Sequence, residues 1–273
     1  MKLVTFLESS GEQKTGELSG EFIYPLAFDG AMLELVESGE LSEHAGSKLF
    51  VSDVKILAPI IPRKIIAVGR NYAEHAQELN NAIPERPLLF AIYPSSIIGT
   101  DDVITWRESI TQQVDWEGEL AIVIGKTAKD VAEADANKYI FGYTIANDVS
   151  ARDLQASDGQ WIRAKSMDTF LPLGPGIVTN DELADPQNLQ LQTFVNGEKM
   201  QDSNTSLMLF TISYLVAYCS RMFTLEAGDV ILTGTPSGVG KGMKPPRYLT
   251  TGDRVAVTID GIGTLSNTCQ ALP

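Results

Sequence analysis

The chain has 273 residues, of which 44% are hydrophobic and 8% aromatic, so it can bury a sizeable core and lies near the upper size of a single domain. Its 35 acidic and 21 basic residues give a net charge of −14, so we expect neither nucleic acid nor a membrane as a partner. No apolar run approaches the roughly 18 residues of a membrane span, and the segment from Met1 to Glu8 is too short and too soon acidic for a signal peptide. We therefore expect a cytoplasmic protein.

The N-terminal segment is predicted to form a small β-rich domain. KLVTFLE and GEFIYPLAF have the pattern of strands, and MLELVESG that of a small helix. The proline-punctuated stretch APIIP near residue 60 marks a boundary. We predict a small domain over residues 1–60, poor in candidate chemistry, and a catalytic domain over residues 61–273.

The second segment is predicted to be rich in strands. A strand from Lys64 to Val68 leads into a helix from Tyr72 to Leu79. Turn residues then separate several β-branched runs: ELAIVIG, YIFGYTIAND, LQTFVNG, GDVILTG and DRVAVTIDGIGTL. Further helices are predicted only at Lys129 to Lys138 and at Ser206 to Met222. This mixture indicates a β-rich α+β fold and not regularly alternating βα units.

Several common catalytic motifs can be excluded. In GTPSGVGKG, from Gly234 to Gly242, Thr235 replaces the first glycine of a phosphate loop and Gly242 replaces its hydroxyl residue. The same stretch lacks the spacing of a nucleophile elbow, and VGRNYAEH offers one glycine where a dinucleotide fingerprint needs three. Two isolated cysteines and two histidines exclude paired-cysteine and multi-histidine metal motifs.

An acidic cluster opens the strand in VDWEGELAIVIG. Residues two apart in a strand share a face, so Glu117 and Glu119 would lie side by side, where like charges repel. Asp148, at the end of YIFGYTIAND, could add a third carboxylate from an adjacent strand. Such oxygens suit Mg²⁺ or Mn²⁺, with Ca²⁺ as a possible substitute. The pattern alone leaves a second interpretation open, in which all three acids are solvated at strand ends.

His75 and Glu78 form a second candidate pair. Three residues apart on a helix, they share a face, so the carboxylate can orient the imidazole and raise its basicity. Glu74 is adjacent to His75 and would diverge around the helix. Without further information, such a pair on a helix surface would be interpreted as structural.

Seven blocks in matching order across residues 63 to 270 resemble the fumarylacetoacetate hydrolase family. They are KIIAVGRNYAEHAQE, VDWEGELAIVIGK, GYTIANDVSARDLQ, AKSMDTFLPLGPGI, VNGEKMQDSNTSLMLF, TLEAGDVILTGTPSGVG and TGDRVAVTIDGIGTLSNT. The resemblance implies a mixed β roll around one divalent metal. It also implies a homodimer that acts on 2-oxo acids with a second carbonyl or carboxylate nearby.

The resemblance also assigns roles to individual residues. It implies the metal ligands Glu117, Glu119 and Asp148, and the catalytic residues His75, Glu78 and Lys165. The implied substrate-binding residues are Arg70, Tyr72, Arg152, Gln155, Thr169 and Thr235. From the residues alone, a surface salt bridge stays open for Arg152 and a purely structural turn for Thr235.

A metal that chelates a 2-oxo acid can stabilise an enolate, and this serves several reactions. We expect acylpyruvate hydrolysis, oxaloacetate decarboxylation, or both, with His75 and Glu78 activating water and Lys165 near the developing charge. One alternative is 2-hydroxyhepta-2,4-diene-1,7-dioate isomerase or 5-oxopent-3-ene-1,2,5-tricarboxylate decarboxylase. Another is a catalytically silent protein that binds a metal or ligand.

Three residues depart from the family pattern or adjoin it. Trp116 precedes the acid pair and Gly118 lies between its two glutamates, at positions where the family often has tyrosine and a larger apolar residue, and Trp161 closes the segment SDGQW. Large aromatic side chains are buried more often than they are functional, so we expect Trp161 in the core. A substrate-facing wall is the alternative.

Overall fold

The computed structural model describes residues 1–41 and 43–273, which form the strand-rich α+β fold that the sequence predicts. The strands are β1 (Lys2–Leu7), β2 (Gln13–Ser19), β3 (Phe22–Pro25), β4 (Leu49–Phe50), β5 (Lys55–Ile56), β6 (Ile65–Gly69), β7 (Leu88–Ile92), β8 (Ile97–Ile98), β9 (Val103–Arg107), β10 (Val114–Asp115), β11 (Gly118–Ile124), β12 (Ile140–Asn147), β13 (Ser150–Ala151), β14 (Leu171–Thr179), β15 (Gln190–Val195), β16 (Glu198–Asn204), β17 (Val230–Leu232), β18 (Arg254–Ile259) and β19 (Gly263–Leu272). The α-helices are α1 (Met32–Ser38), α2 (Ala73–Glu78), α3 (Arg152–Asp158), α4 (Ile162–Lys165) and α5 (Ile212–Met222). Short 3₁₀ turns cover Val51–Asp53, Pro94–Ser96, Glu133–Tyr139, Thr205–Leu207 and Gly240–Gly242. Within the described ranges, none of the helices is long and apolar enough to cross a membrane.

The helix predicted over residues 129–138 is largely wrong, because the structure has only the 3₁₀ turn Glu133–Tyr139 there. The backbone amides of Asp130 and Val131 donate instead to the carbonyl and the hydroxyl of Ser220, at 3.1 and 3.0 Å. These bonds tie the segment to α5, so the helical turn begins only at Glu133.

The helix predicted over residues 206–222 begins later, at Ile212. The Asn71 side chain holds the preceding residue, Phe210, by accepting from its amide at 2.7 Å and donating to its carbonyl at 3.0 Å. Thr211 then caps α5 by accepting from the Tyr214 amide at 3.2 Å. The predicted helix over residues 72–79 is confirmed as α2.

Two mixed sheets form the framework. The large sheet has the strand order β4-β3-β2-β1-β14-β12-β11-β17-β6-β7, with β5 paired to β1 and β8 to β14. The second sheet has the order β16-β15-β18-β19-β9. The N-terminal strands join the large sheet because β1 pairs with β14, where Lys2 lies opposite Val178.

Strand β11 lies at the centre of the large sheet and is buried along its whole length. Leu120, Ile122 and Ile124 face a core shared with β15 and β18 of the second sheet. The alternate residues Ala121 and Val123 face another core, shared with α1 and β14. Burial on both faces explains the continuous apolar run in this strand.

Strand pairing brings four chain segments to one edge of the large sheet. β12 and β17 both run antiparallel to β11, with Gly118 opposite Asn147 and Ala121 opposite Leu232. β6 runs parallel to β17, with Ala67 opposite Leu232. The start of β11 and the ends of β12, β17 and β6 therefore lie together.

Candidate metal centre and active site

One cavity opens at this edge of the sheet. Nine residues selected from the sequence are among those that line it: Arg70, His75, Glu117, Glu119, Asp148, Arg152, Gln155, Lys165 and Thr235. They come from segments that are distant in sequence, and the strand pairing described above explains why they meet.

The structure brings the three carboxylates of the acid cluster together. Glu117, Glu119 and Asp148 each offer an oxygen, and these oxygens lie within 4.8 Å of one another. Gly118 faces the opposite side of β11, where a Cβ atom would lie 2.3 Å from Thr193 Oγ1. The family often has a larger residue at position 118. Glycine stands there in this chain because the second sheet packs directly on this backbone.

Two buried cations pair with the acid cluster. Lys165 Nζ lies 2.6 Å from both Glu117 Oε2 and Asp148 Oδ2. Arg152 Nη1 lies 2.6 Å from Glu117 Oε1, and both cationic residues are only 1% exposed. The interpretation of the acids as solvated strand ends is therefore wrong, and so is that of Arg152 as part of a surface salt bridge.

The buried charges shift one another's pKa values in opposite directions. Burial raises the pKa of Glu119 well above its ordinary value, and the carboxylates of Asp148 and Glu117 raise it further. Burial also opposes ionisation of Glu117, but Arg152 and Lys165 outweigh it and lower the pKa of Glu117 to about 2. The cluster therefore holds one carboxylate that ionises readily beside one that resists ionisation.

The donor set fits a hard divalent cation. Asp148 Oδ1 is buried without any hydrogen-bond partner in the described chain, so it has an unused acceptor inside the cluster. Three carboxylate oxygens in one buried place are the ligands that Mg²⁺ and Mn²⁺ prefer, and Ca²⁺ uses the same oxygen chemistry. A cation among them would remove the repulsion that raises the pKa of Glu119.

Asp115 connects Arg152 to the glycine-rich loop, residues 234–242. This aspartate is fully buried, and its Oδ2 accepts from Arg152 Nε at 2.7 Å and from the Lys241 amide at 3.0 Å. Its Oδ1 accepts from the Gly240 amide at 2.7 Å. A Cβ atom at Gly240 would lie 2.8 Å from that oxygen, so the glycine allows the close approach.

His75 and Glu78 lie together at the cavity. His75 lines the cavity and is 6% exposed, and its Nδ1 lies 3.4 Å from Glu78 Oε2. The other carboxylate oxygen of Glu78 accepts from the Gly238 amide at 3.0 Å. Glu74 instead accepts from the Ser237 hydroxyl at 3.1 Å. Glu78, and not Glu74, is therefore the partner of His75, as the helical spacing predicts. His75 Nε2 makes no hydrogen bond with any described residue.

Two polar side chains at the cavity already form hydrogen bonds with other residues of the protein. Gln155 Oε1 accepts from Arg152 Nη1 at 3.1 Å. The Thr235 hydroxyl donates to the Gly118 carbonyl at 3.0 Å and accepts from Gln201 Nε2 at 2.8 Å. Thr235 thus serves the packing of the loop against β11 as well as lining the cavity.

Tyr72 and Thr169 do not line this cavity. Tyr72 is 2% exposed and lines a separate cavity with Ser203 and Leu207. The Thr169 hydroxyl accepts from the Thr105 amide at 2.8 Å and donates to the Thr105 carbonyl at 3.2 Å. The geometry gives no support to the substrate contacts that the resemblance implies for these two residues.

Trp161 forms a wall of the cavity, so the expectation that it lies in the core is wrong. It is partly exposed, and its ring meets that of Phe90 edge to face, with 5.1 Å between the centroids. A Cβ atom at Gly69 would lie 2.7 Å from the indole, so the glycine at the end of β6 makes room for it. The average burial of tryptophan does not distinguish a core from the wall of a ligand cavity.

Two further residues were not among the predicted site residues: Lys241 lines the cavity, and the buried Asp115 bonds to Arg152 beside it. Asp115 lies two residues before Glu117, so its place in the alternation of acids was a usable signal. Lys241 lines the cavity from GTPSGVGKG. Excluding the phosphate-loop interpretation of that stretch left its lysine without an assigned role.

Comparison with known proteins shows which family the chain resembles. The model of the fumarylacetoacetate (FAA) hydrolase C-terminal domain matches residues 64–270. An oxaloacetate tautomerase of Bacillus subtilis is 46% identical over 83% of this chain and 77% of its own length. A mitochondrial oxaloacetate tautomerase of Xenopus laevis is 42% identical over 98% of this chain and 89% of its own.

Solved structures share the whole fold. A fumarylacetoacetate hydrolase from Exiguobacterium antarcticum is 43% identical, with a TM-score of 0.92 and full coverage of both chains. A maleylpyruvate hydrolase from Sphingobium sp. SYK-6, in complex with manganese(II) and pyruvate, is 29% identical, with a TM-score of 0.82 and full coverage of both chains. The chain therefore belongs to the fumarylacetoacetate hydrolase family of enzymes.

Proposed function

We propose that this protein is a divalent-metal-dependent enzyme that interconverts the keto and enol forms of oxaloacetate or of a closely similar 2-oxo dicarboxylic acid. The observation that carries the proposal is that one cavity holds three buried carboxylates together with a histidine whose Nε2 makes no hydrogen bond with any described residue. The relatives named oxaloacetate tautomerases, 46% and 42% identical, support the choice of substrate.

Glu117, Glu119 and Asp148 would hold the metal. When bound, Mg²⁺ or Mn²⁺ supplies Lewis-acid polarisation of a 2-oxo group, which makes the neighbouring C–H more acidic. Three carboxylates exceed a divalent ion by about one formal negative charge. Lys165 and Arg152, which pair with the cluster at 2.6 Å, offset that charge and allow an anionic substrate to approach.

His75 is the group that we expect to accept the C3 proton of the keto form. The electron pair left by that proton forms the C2=C3 double bond, and the 2-oxo oxygen gains a proton, so no other reactant is needed. Glu78 accepts at His75 Nδ1, which orients the ring. The buried ammonium of Lys165 stabilises negative charge that develops on the substrate.

Cleavage of a C–C bond is the second candidate, because breaking the C3–C4 bond also leaves an enolate at C2 and C3, in this case that of pyruvate. In decarboxylation, CO₂ leaves with C4 and the bonding electrons pass into the enolate. In acylpyruvate hydrolysis, water attacks the C4 carbonyl and His75 would take its proton. The pairing of His75 with Glu78 favours hydrolysis over decarboxylation, because only hydrolysis needs a base to take a proton from water. A maleylpyruvate hydrolase is among the similar structures. A 2-hydroxyhepta-2,4-diene-1,7-dioate isomerase, 39% identical, is also among them.

A substrate panel with Mg²⁺ or Mn²⁺ tests the proposal. Ultraviolet absorbance follows enol-oxaloacetate, and a coupled lactate dehydrogenase assay follows the release of pyruvate. Loss of acylpyruvate and maleylpyruvate is followed in parallel.

We expect the protein to accelerate ketonisation far above a buffer control containing the metal, with much slower release of pyruvate. Release of pyruvate as fast as the enol disappears would make C–C cleavage the function. No acceleration with oxaloacetate in either assay would reject the proposal.

A further inference from the structure

Lys241 brings a positive charge to the cavity that the proposed chemistry does not use. Its side chain lines the cavity from the glycine-rich loop and makes no salt bridge with any described residue. Burial, followed by the charge of Arg152, lowers the pKa of Lys241. The ammonium group is therefore partly desolvated and lies near another cation, so an anion in the cavity would stabilise it.

Arg152 has a second unmatched group at the same cavity. Its Nε donates to Asp115, and its Nη1 lies near Glu117 and Gln155. Its Nη2 is buried and has no hydrogen-bond partner in the described chain. A buried guanidinium nitrogen without an acceptor is costly and points to a ligand that supplies one.

Asp115 holds these two cationic residues in place. Its Oδ2 accepts from the Arg152 Nε at 2.7 Å and from the backbone amide of Lys241 at 3.0 Å. One carboxylate oxygen therefore fixes both the orientation of the guanidinium group and the path of the loop. The aspartate is fully buried, so it acts on a ligand only through these neighbours.

We propose that Arg152 Nη2 and the Lys241 ammonium form a subsite for the second carboxylate of a dicarboxylic substrate, with Asp115 as the positioning residue for both. The inference rests on the proposed function, in which the acid cluster and its metal take the 2-oxo acid end of the substrate. The other carboxylate then needs cationic donors elsewhere in the cavity, and these two groups are unmatched. The subsite predicts a preference for dicarboxylic over monocarboxylic acids of the same chain length.

Binding of two matched acids tests the subsite without turnover. Malate and 2-hydroxybutyrate have the same four-carbon 2-hydroxy acid skeleton, and a methyl group in the second replaces the distal carboxylate. Isothermal titration of the Mn²⁺-loaded protein gives the ratio of their affinities. We expect wild-type protein to prefer malate and Lys241→Met to lower that ratio by about 10- to 100-fold, as for loss of a charge-assisted hydrogen bond. Lys241→Arg should retain most of the preference. Lys244→Met, an exposed lysine of the neighbouring segment, should retain all of it.

Asp115→Asn tests the positioning role with the same affinity ratio, which a general loss of stability would not selectively change. We expect it to reduce the preference at least as much as Lys241→Met. The matched control is Asp229→Asn, because Asp229 is also fully buried but pairs with Lys64, at 2.6 Å. This control should lower stability without changing the ratio.

Two results would overturn the inference: equal binding of both acids by wild-type protein, or an unchanged ratio in Lys241→Met. If Asp115→Asn fails to fold, the Lys241 variants still decide the matter. Failure of the proposed function would be seen separately, as an absence of oxaloacetate ketonisation, because the titrations need no reaction.

Discussion

Gly118 separates the two glutamates of the acid cluster, and its missing side chain lets the second sheet pack on β11. A Cβ atom there would lie 2.3 Å from Thr193 Oγ1 and 2.9 Å from Val257 Cγ1, closer than normal contacts. We expect Gly118→Ala to lower the free energy of unfolding by about 1 to 3 kcal/mol through overpacking, measured by urea denaturation. Adding Thr193→Ala should recover part of the loss because it removes the clashing hydroxyl. Strictly additive losses would contradict this explanation.

The carboxylates of the acid cluster give a prediction about metal binding. At a hundredfold excess over its Kd, Mn²⁺ should raise the melting temperature of wild-type protein by about 5 to 10 °C. Glu119→Gln and Asp148→Asn should abolish most of this shift, since each removes a charged ligand. Glu12→Gln is a suitable control because Glu12 is exposed and remote from the cluster. Excess chelator should also abolish turnover, and full activity in chelator would contradict the metal requirement.

His75 gives a prediction that separates the reactions. His75→Ala should lower oxaloacetate ketonisation and acylpyruvate hydrolysis by about 10² to 10⁴, the usual effect of losing a general base. Decarboxylation should fall less, because no C–H proton or water proton is removed in that step. His44→Ala is the matched control, since the other histidine is exposed and pairs with Glu17. An equal fall in all three reactions would assign His75 to closure of the site or to binding.

At the residue scale, short-range periodicity predicted the acid pair and the histidine–glutamate pair, whereas Arg152, Gln155 and Lys165 were predicted only by the family resemblance. Glu117 and Glu119 followed from strand alternation, and His75 with Glu78 from helix spacing. Lys241 could not be predicted, because its place depends on a loop folding onto Asp115, more than a hundred residues earlier. No local pattern reports such a contact.

At the scale of elements, the side chain of Asn71, in the segment between β6 and α2, fixes where α5 begins. Besides its two bonds with Phe210, Asn71 Nδ2 donates to the Thr233 carbonyl at 2.8 Å. Asn71→Ala would leave these buried backbone groups unpaired, so we expect a loss of about 2 to 4 kcal/mol in unfolding free energy. Asn188→Ala, at an exposed asparagine, should have little effect. A similar small loss for both variants would contradict the role of Asn71.

The two helices that were predicted to begin too early, at residues 129 and 206, have the same physical origin of their error, whereas α3 and α4 were not predicted. Residues 130 and 131 bond to Ser220, and residue 210 bonds to Asn71, so tertiary contacts override local helix preference in both segments. Strands β11 and β12, in contrast, were predictable, since each carries its burial in a continuous apolar run.

At the scale of the whole molecule, the N-terminal segment shares a core with the rest of the chain. Leu3 and Leu35 belong to the same buried cluster as Leu173 and Ile177 of β14. A fragment of residues 61–273 would expose this cluster and leave β14 without β1 along part of its edge. Loss of one large buried side chain from a core costs about 2 to 5 kcal/mol, and the fragment lacks several side chains of this cluster, so we expect it to lack a cooperative thermal transition. Calorimetry against the full chain measures this. A fragment that melts like the full chain would show instead that residues 1–60 form a separate domain.

The double burial of β11 ties activity to correct strand pairing. The odd-numbered side chains from Glu117 to Val123 provide the glutamates and one core, while the even-numbered side chains of β11 provide the other core. A slip of one residue against β12 would turn Glu117 and Glu119 towards Thr193 and Val257 and would exchange the two apolar sets. Such a chain would lose its acid cluster and place two carboxylates between packed sheets at the same time. A mispaired but well-folded and inactive form should therefore not accumulate, and the amount of folded protein should equal the amount that can bind the metal.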